Sequence, residues 1–271
     1  MSIATLPMYD LPAVRWATDA WWSGLARALA AAGIDGVPRR LDRRLGSAEA
    51  WRRPDLLLSQ TCGYPMTHAL AGRVRLVATP VYQVEGCDGP MYRSAFLVRD
   101  DDPAAGLADL RGRRVAVNAR DSQSGYNCLR HALAPLAASA GGGPLFSEVV
   151  TTGRHGASLR ALRDRRADLT AVDAVTLALT ARGTPAAVAG LRVLGWSAPA
   201  PALPYITRAG APDGELAALR AALMRAAGDP DLATTRAVLS LAGFEVLPLA
   251  AYGVIDAMEK EAIALGYPEI A

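Results

Sequence analysis

Lysine is nearly missing from this chain of 271 residues: Lys260 is the only one, and arginine supplies the remaining strong base. A P-loop needs a Gly-Lys-Ser/Thr step to reach phosphate, and the sequence has none. A Schiff-base lysine needs desolvation to lose its proton, whereas Lys260 stands between Glu259 and Glu261 in a run that reads as a solvated helix face. Histidine and cysteine are scarce too, with three of each. His68, His131 and His155 form no His-Glu-x-x-His motif, and no Gly-x-Ser-x-Gly elbow occurs. A metal site or a Ser-His-Asp triad therefore has little to stand on, and no metal or cofactor is expected. Cys62, Cys87 and Cys128 lack a Cys-x-x-Cys spacing and form neither a disulfide framework nor a zinc ribbon. One bridge, Cys62 to Cys87, stays open, while three unbridged thiols would suit a reducing compartment. Cys62 reads as a small buried side chain before it reads as a nucleophile, because no basic neighbour in sequence activates it.

Long apolar runs are absent as well. No stretch of about 20 apolar residues escapes a charge or a Pro/Gly break, so no membrane insertion is expected. The opening run to Tyr9 is cut short by Asp10 and is too short for a signal peptide. On the sequence as given the chain is expected to be cytoplasmic, or periplasmic if a leader has been removed. Charge of one sign is lacking: 29 basic against 26 acidic residues leave +3, too balanced for a nucleic-acid partner. Hydrophobic residues at 51% and charged residues at 20% exclude disorder. The length allows one large domain or two lobes of about 100–150 residues.

What is present alternates between short apolar runs and helical periods. Trp21, Leu25, Ala28, Leu29 and Ala32 share one helix face that stops at Gly33. Strands are expected over 55–59, over 74–79 closed by Pro80, and over 92–99, 113–118, 146–152, 168–173 and 191–196. Helices are expected over 124–138, near 156–166 and over 174–182. Towards the end, Asp229-Pro230 starts a helix that stops at Gly243, and a last helix covers 252–265. Strand–helix–strand repeats of this length imply an α/β fold with parallel sheets flanked by helices.

One segment carries chemistry. The strand Val115–Asn118 leads through a polar loop to Ser122, Gln123, Ser124, Gly125 and Tyr126, where a helix begins. Free amides and the dipole at a helix start favour an anion, the serines add hydroxyl donors, and Gly125 lets a ligand approach the backbone. A plain helix cap by Asp121 or Ser122 explains the same residues. In parallel sheets ligands gather at the carboxyl ends of strands, where this loop lies. A second strand ends in the polar residues Gln60 and Thr61, which could face a ligand or serve as caps.

Together, Tyr92–Arg99, Leu107–Ala116, Ser122–Tyr126, Arg154–Leu159, Ala167–Asp173, Gly243–Val246 and Tyr252 resemble the phosphate/phosphonate-binding proteins of ABC importers, within the type II periplasmic-binding-protein superfamily. The resemblance is strongest over 92–197. It implies a two-lobed α/β fold, each lobe a mainly parallel sheet flanked by helices, joined by two crossover hinge strands. Lobe I would be 1–94 with 199–271, and lobe II 95–198. The proline-bearing stretch Ala198–Pro204 would form the returning hinge, and closure of the lobes would bury the ligand.

Carried over residue by residue, the family's Ser-Thr-Ser-Gly cradle falls on Ser122, Gln123, Ser124 and Gly125, with glutamine in place of threonine. His155 matches a polar residue at a helix start, and Asp173 an acidic residue at a strand's end that could take an amine or cap the next helix. Tyr9, at the end of the first strand, could stack on a ligand or close the core. The resemblance thus implies a solute-binding protein for a small anion, a phosphonate, phosphate ester or other oxyanion. Catalysis is not expected, and no residue is assigned a catalytic role. An ABC transporter permease would be the partner if the protein is exported. An enzyme on the same scaffold and a cytoplasmic sensor or regulatory protein are the alternatives.

Overall fold

Two adjacent tryptophans open the architecture. In the computed structural model, which describes residues 2–271, β1 (Ile3–Thr5) leads into α1 (Arg15–Ala31). Trp21 and Trp22 are both 1% exposed, so each indole contributes roughly 5 kcal/mol of gross transfer free energy. Sequence reasoning places only Trp21 in the core. Trp22 joins it because its indole N–H reaches the Pro38 carbonyl at 3.0 Å. Gly24 lets α1 approach its neighbour closely: a Cβ there would lie 2.4 Å from Leu232 Cδ1.

The chain continues through α2 (Ser47–Ala50), β2 (Leu56–Gln60), α3 (Gly63–Thr67), β3 (Val74–Tyr82), β4 (Cys87–Asp88) and β5 (Met91–Tyr92). Next come β6 (Ser94–Arg99), β7 (Arg114–Val117), α4 (Cys128–Ser139), β8 (Glu148–Thr151), α5 (His155–Arg163), β9 (Leu169–Asp173), α6 (Ala174–Gly183) and β10 (Leu191–Trp196). The remainder is β11 (Ala200–Pro201), β12 (Tyr205–Arg208), α7 (Asp213–Gly228), α8 (Ala233–Leu239), β13 (Leu241–Glu245) and α9 (Gly253–Ala264).

Two compact units result. One runs to Met91 and resumes over Pro201–Ala251, and the other is Tyr92–Ala200 with Tyr252–Ala271. The last twenty residues thus lie in the second unit, where sequence reasoning places them in the first. The cause is packing: Ala262, Tyr267 and Ile270 share one apolar cluster with Leu129, Leu133 and Ala137 of α4.

The first unit holds a five-stranded sheet in the order β1-β2-β12-β3-β13. β1 and β2 are parallel, whereas β12 runs antiparallel to both β2 and β3, and β13 antiparallel to β3. The second unit orders its strands β10-β6-β9-β7-β8, with β9, β7 and β8 mutually parallel and β6 and β10 joined by antiparallel pairings. Both sheets are therefore mixed rather than mainly parallel. β12 re-enters the first sheet after the chain has built the second unit, and β10 and β13 come back from helices in the reverse sense, so strand direction is set by long-range pairing rather than by the strand–helix–strand pattern.

Two strand details depart from the sequence reading. β3 continues through Pro80 to Tyr82. β12 pairs only along Val74–Ala78, so at Pro80 that side of the strand has no ladder to lose an N–H from. The helix expected to run to Gly243 ends at Ser240, whose left-handed φ of 55° turns the chain into β13. There Phe244 stacks on Trp21 at 6.0 Å between ring centres and meets Tyr205 edge-on at 5.1 Å.

Candidate functional site

Three parallel strands end side by side in the second unit. From the end of β7 the chain passes Asn118 and enters a π-type turn over Gln123–Asn127 that runs into α4. From β8 it passes Thr152 and Gly153 to His155 at the start of α5. β9 ends on Asp173. The loop after β8 is tied to the end of β7, because Thr152 N–H donates to the Val117 carbonyl at 2.9 Å and Gly153 N–H to the Asn118 carbonyl at 2.8 Å. This docking sets His155 over the helix start.

Ser122 is the N-cap: its hydroxyl oxygen accepts from Gly125 N–H at 3.0 Å, while its carbonyl accepts from Asn127 N–H at 2.9 Å, a five-residue spacing that makes the turn wide. Such a cap contributes about 1 kcal/mol. Ser124 Oγ lies 2.9 Å from His155 Nε2. Gly125 is a close-approach position, since a Cβ there would fall 2.1 Å from Asn118 Oδ1 and 3.1 Å from His155 Cε1. Ser122, Ser124, Gly125, Asn118 and His155 therefore form one cluster.

Burial pushes the His155 imidazole down to about 4, and the nearby Ala171 carbonyl pulls weakly the other way. The ring is neutral at pH 7. Its Nδ1 is buried with no partner in hydrogen-bond geometry, which places the Ala171 carbonyl near it but not bonded to it. A neutral ring can accept at Nε2 from the Ser124 hydroxyl or donate from Nε2 to it, but not both.

The other residues read from this segment turn elsewhere. Gln123 is 1% exposed; its amide donates to Met258 Sδ at 3.2 Å and its carbonyl accepts from Asn127 Nδ2 at 2.7 Å. Tyr126 is 4% exposed and its hydroxyl accepts from Ile270 N–H at 3.1 Å. Asp173 caps α6, with Oδ1 accepting from Thr176 N–H at 2.8 Å. Of the two roles the sequence allows this residue, ligand contact or cap, the structure shows the cap.

Tyr9, Gln60 and Thr61 fall in the first unit. Tyr9 and Gln60 line a cavity of about 20 Å³ together with Trp21, Tyr82 and Tyr205. Tyr9 meets Tyr82 edge-on at 5.2 Å. The Gln60 amide donates to Tyr82 Oη at 3.2 Å and to the Leu203 carbonyl at 3.0 Å. Thr61 is fully buried, its hydroxyl donating to the Cys62 carbonyl and its N–H to the Pro204 carbonyl. None of the three cysteines is in a disulfide. Among the described residues no cluster of His, Cys, Asp and Glu is placed to hold a metal, and no helix is long and apolar enough to cross a membrane.

Sequence reasoning missed Asn118, Asn127 and Arg130. Arg130 is 4% exposed inside the apolar stripe of α4. Its place four residues after Tyr126, between Leu129 and Leu133, was the available signal, because an arginine on a buried face needs partners.

A family model described as "ABC transporter, phosphonate, periplasmic substrate-binding protein" matches residues 52–252. A comparison with curated protein sequences finds no match. Among solved structures, a binding-protein component of an ABC phosphonate transporter from Pseudomonas aeruginosa aligns with TM-score 0.77 at 14% identity, covering 98% of this chain and 87% of that one. PhnD1 from Prochlorococcus marinus, solved in complex with methylphosphonate, aligns with TM-score 0.75 at 14% identity over 96% and 97% of the two chains. XAC2383 from Xanthomonas citri, bound to chloride, aligns with TM-score 0.70 at 18% identity over 98% of each. These likenesses show a periplasmic-binding-protein fold with mixed sheets, and the family match spans most of the sequence. The chain belongs to the phosphonate substrate-binding protein family of ABC transporters.

Proposed function

We propose that this protein captures a small oxyanion of the phosphonate or phosphate type at the helix start over residues 122–127, encloses it by closure of two lobes, and delivers it to an ABC permease outside the inner membrane. The observation that carries the reading is the Ser122-capped turn whose Ser124 hydroxyl meets the half-buried, neutral imidazole of His155. The dipole of α4 and the first amides of its turn favour negative charge there. The Ser122 and Ser124 hydroxyls supply donors, and the missing side chain of Gly125 lets Asn118 and His155 close in on the turn. His155 takes the role of a switchable partner: an arriving anion favours a ring that donates from Nε2. Gln123 and Tyr126 leave the contact set, because their polar ends are engaged behind the turn. Tyr9, matched in the resemblance, and Gln60, read from the strand end, are assigned to the first lobe's share of the ligand shell, whereas Thr61 leaves the contact set because its hydroxyl and N–H are engaged.

Titration calorimetry of the purified chain against methylphosphonate, phosphate and sulfate, with a neutral sugar as control, tests this. The expected result is binding of at least one phosphorus oxyanion, weakened about tenfold or more by Ser124→Ala, the loss of one charge-assisted hydrogen bond. No heat with any oxyanion, or an affinity indifferent to Ser122→Ala and Ser124→Ala together, overturns it.

A further inference from the structure

We infer that Arg130 is a positioning residue for the oxyanion site, and that the C-terminal segment 252–271 is the brace it works against. The inference rests on the site proposed above. Behind the turn, Gln123, Asn127 and Arg130 lie at successive i, i+4 and i+7 positions, on one helix face. The Arg130 guanidinium donates to Asn127 Oδ1 at 2.6 Å, to Glu259 Oε1 at 2.9 Å and to the Pro268 carbonyl at 2.7 Å. Asn127, completely buried, passes the constraint on: its Nδ2 donates to the Gln123 carbonyl oxygen at 2.7 Å and to the Ile255 carbonyl at 3.0 Å. The Gln123 amide ends on Met258, and the Tyr126 hydroxyl ends on Ile270. The Arg130 guanidinium carbon also sits 5.6 Å from the centre of the Tyr126 ring.

None of these bonds involves Ser124 or His155, and five of them end on the C-terminal segment. A π-type turn is uncommon and is retained where side chains hold it open. Here the holding groups are a buried guanidinium, a carboxamide relay and an ion pair whose arginine side chain is 5% exposed and whose glutamate side chain is 20% exposed. The brace fixes which amides and hydroxyls of residues 122–125 face the ligand. It also explains the glutamine that stands at the centre of the cradle: its carboxamide is the end of the relay, not a ligand donor.

The test separates positioning from bulk stability. Arg130→Met leaves Glu259 without its cation, so the single variant loses both stability and affinity. The pair Arg130→Met with Glu259→Met removes both charges together, which commonly restores stability, but leaves Asn127 Oδ1 without its donor. The double variant is expected to recover the thermal midpoint of the wild type. It should still exchange the amides of residues 123–127 at least tenfold faster and bind methylphosphonate, or whichever oxyanion the wild type takes, about tenfold more weakly. Arg130→Lys, which keeps the charge and one donor, is expected to fall between. A double variant that regains both the midpoint and the wild-type exchange at 123–127 overturns the inference. Should the wild type bind no oxyanion, the exchange measurement still decides the brace, so the failure of the site and the failure of the brace are read separately.

Discussion

Replacing His155 by glutamine removes the one imidazole that the fold holds neutral against the Ser124 hydroxyl. The folded-state value is lowered from 6.5 to about 4 by burial, so the unfolded chain takes up a proton first as pH falls. Stability is therefore intact above 6.5, declines as pH drops through 6.5, and the penalty is complete below about 4. Between pH 7 and pH 5 the linkage integral comes to about 2 kcal/mol, most of a total near 3 kcal/mol. Glutamine can bond to Ser124 but does not titrate, so His155→Gln should lose about 2 kcal/mol less than the wild type over that interval. Urea unfolding at both pH values, followed by amide signals of α4, reads the difference within the second unit. With only three histidines in the chain, proton NMR of the ring signals gives a direct check: His155 should stay neutral down to pH 5. A His155 titration near 6.5, or equal losses in the two proteins, would refute the reasoning.

Gly125→Ala should destabilise the second unit by about 1–3 kcal/mol, because the new methyl meets Asn118 Oδ1 at 2.1 Å; combining it with Asn118→Ala should recover part of the thermal midpoint. Ser122→Ala should cost about 1 kcal/mol of stability through loss of the cap on Gly125 N–H, measured by denaturant unfolding. At Asp168, burial pushes the carboxyl up, and hydrogen bonds from Arg114 and Arg99 outweigh it, lowering it to about 2. That ion cluster stabilises the fold above pH 3.8 and loses about 2 kcal/mol as pH falls towards 2, so Asp168→Asn should flatten the acid limb of the stability profile.

The helix periods and buried strands were legible because local spacing encodes them: α1, α4, β2, β6, β7 and β9 lie where periodicity puts them. The mixed character of the sheets was not. β12 carries only Tyr205–Arg208 and β13 follows a helix with one left-handed residue between, and nothing in so short a run says which neighbour it joins or in which direction. The helix start at 122 was visible as a motif because it rests on local order after a strand, whereas His155 came only from the family resemblance. Which way each side chain turns was invisible. Gln123 and Tyr126 look like cradle residues in sequence, and their partners Met258 and Ile270 stand more than a hundred residues away. Asn118, four residues before the Ser122 cap, read as the end of a strand rather than as the group against Gly125.

The second unit closes with Tyr252–Ala271, and the first with Pro201–Ala251. On the ribosome, then, neither half can finish its core early. A chain that has emerged only to Ala200 presents α4 with the apolar face that Ala262, Tyr267 and Ile270 later cover, so its demand on chaperones should last until residues 252–271 follow. By the same token, a gene fragment encoding 92–200 alone should yield an aggregating product, whereas splicing 252–271 directly after it should give a soluble one.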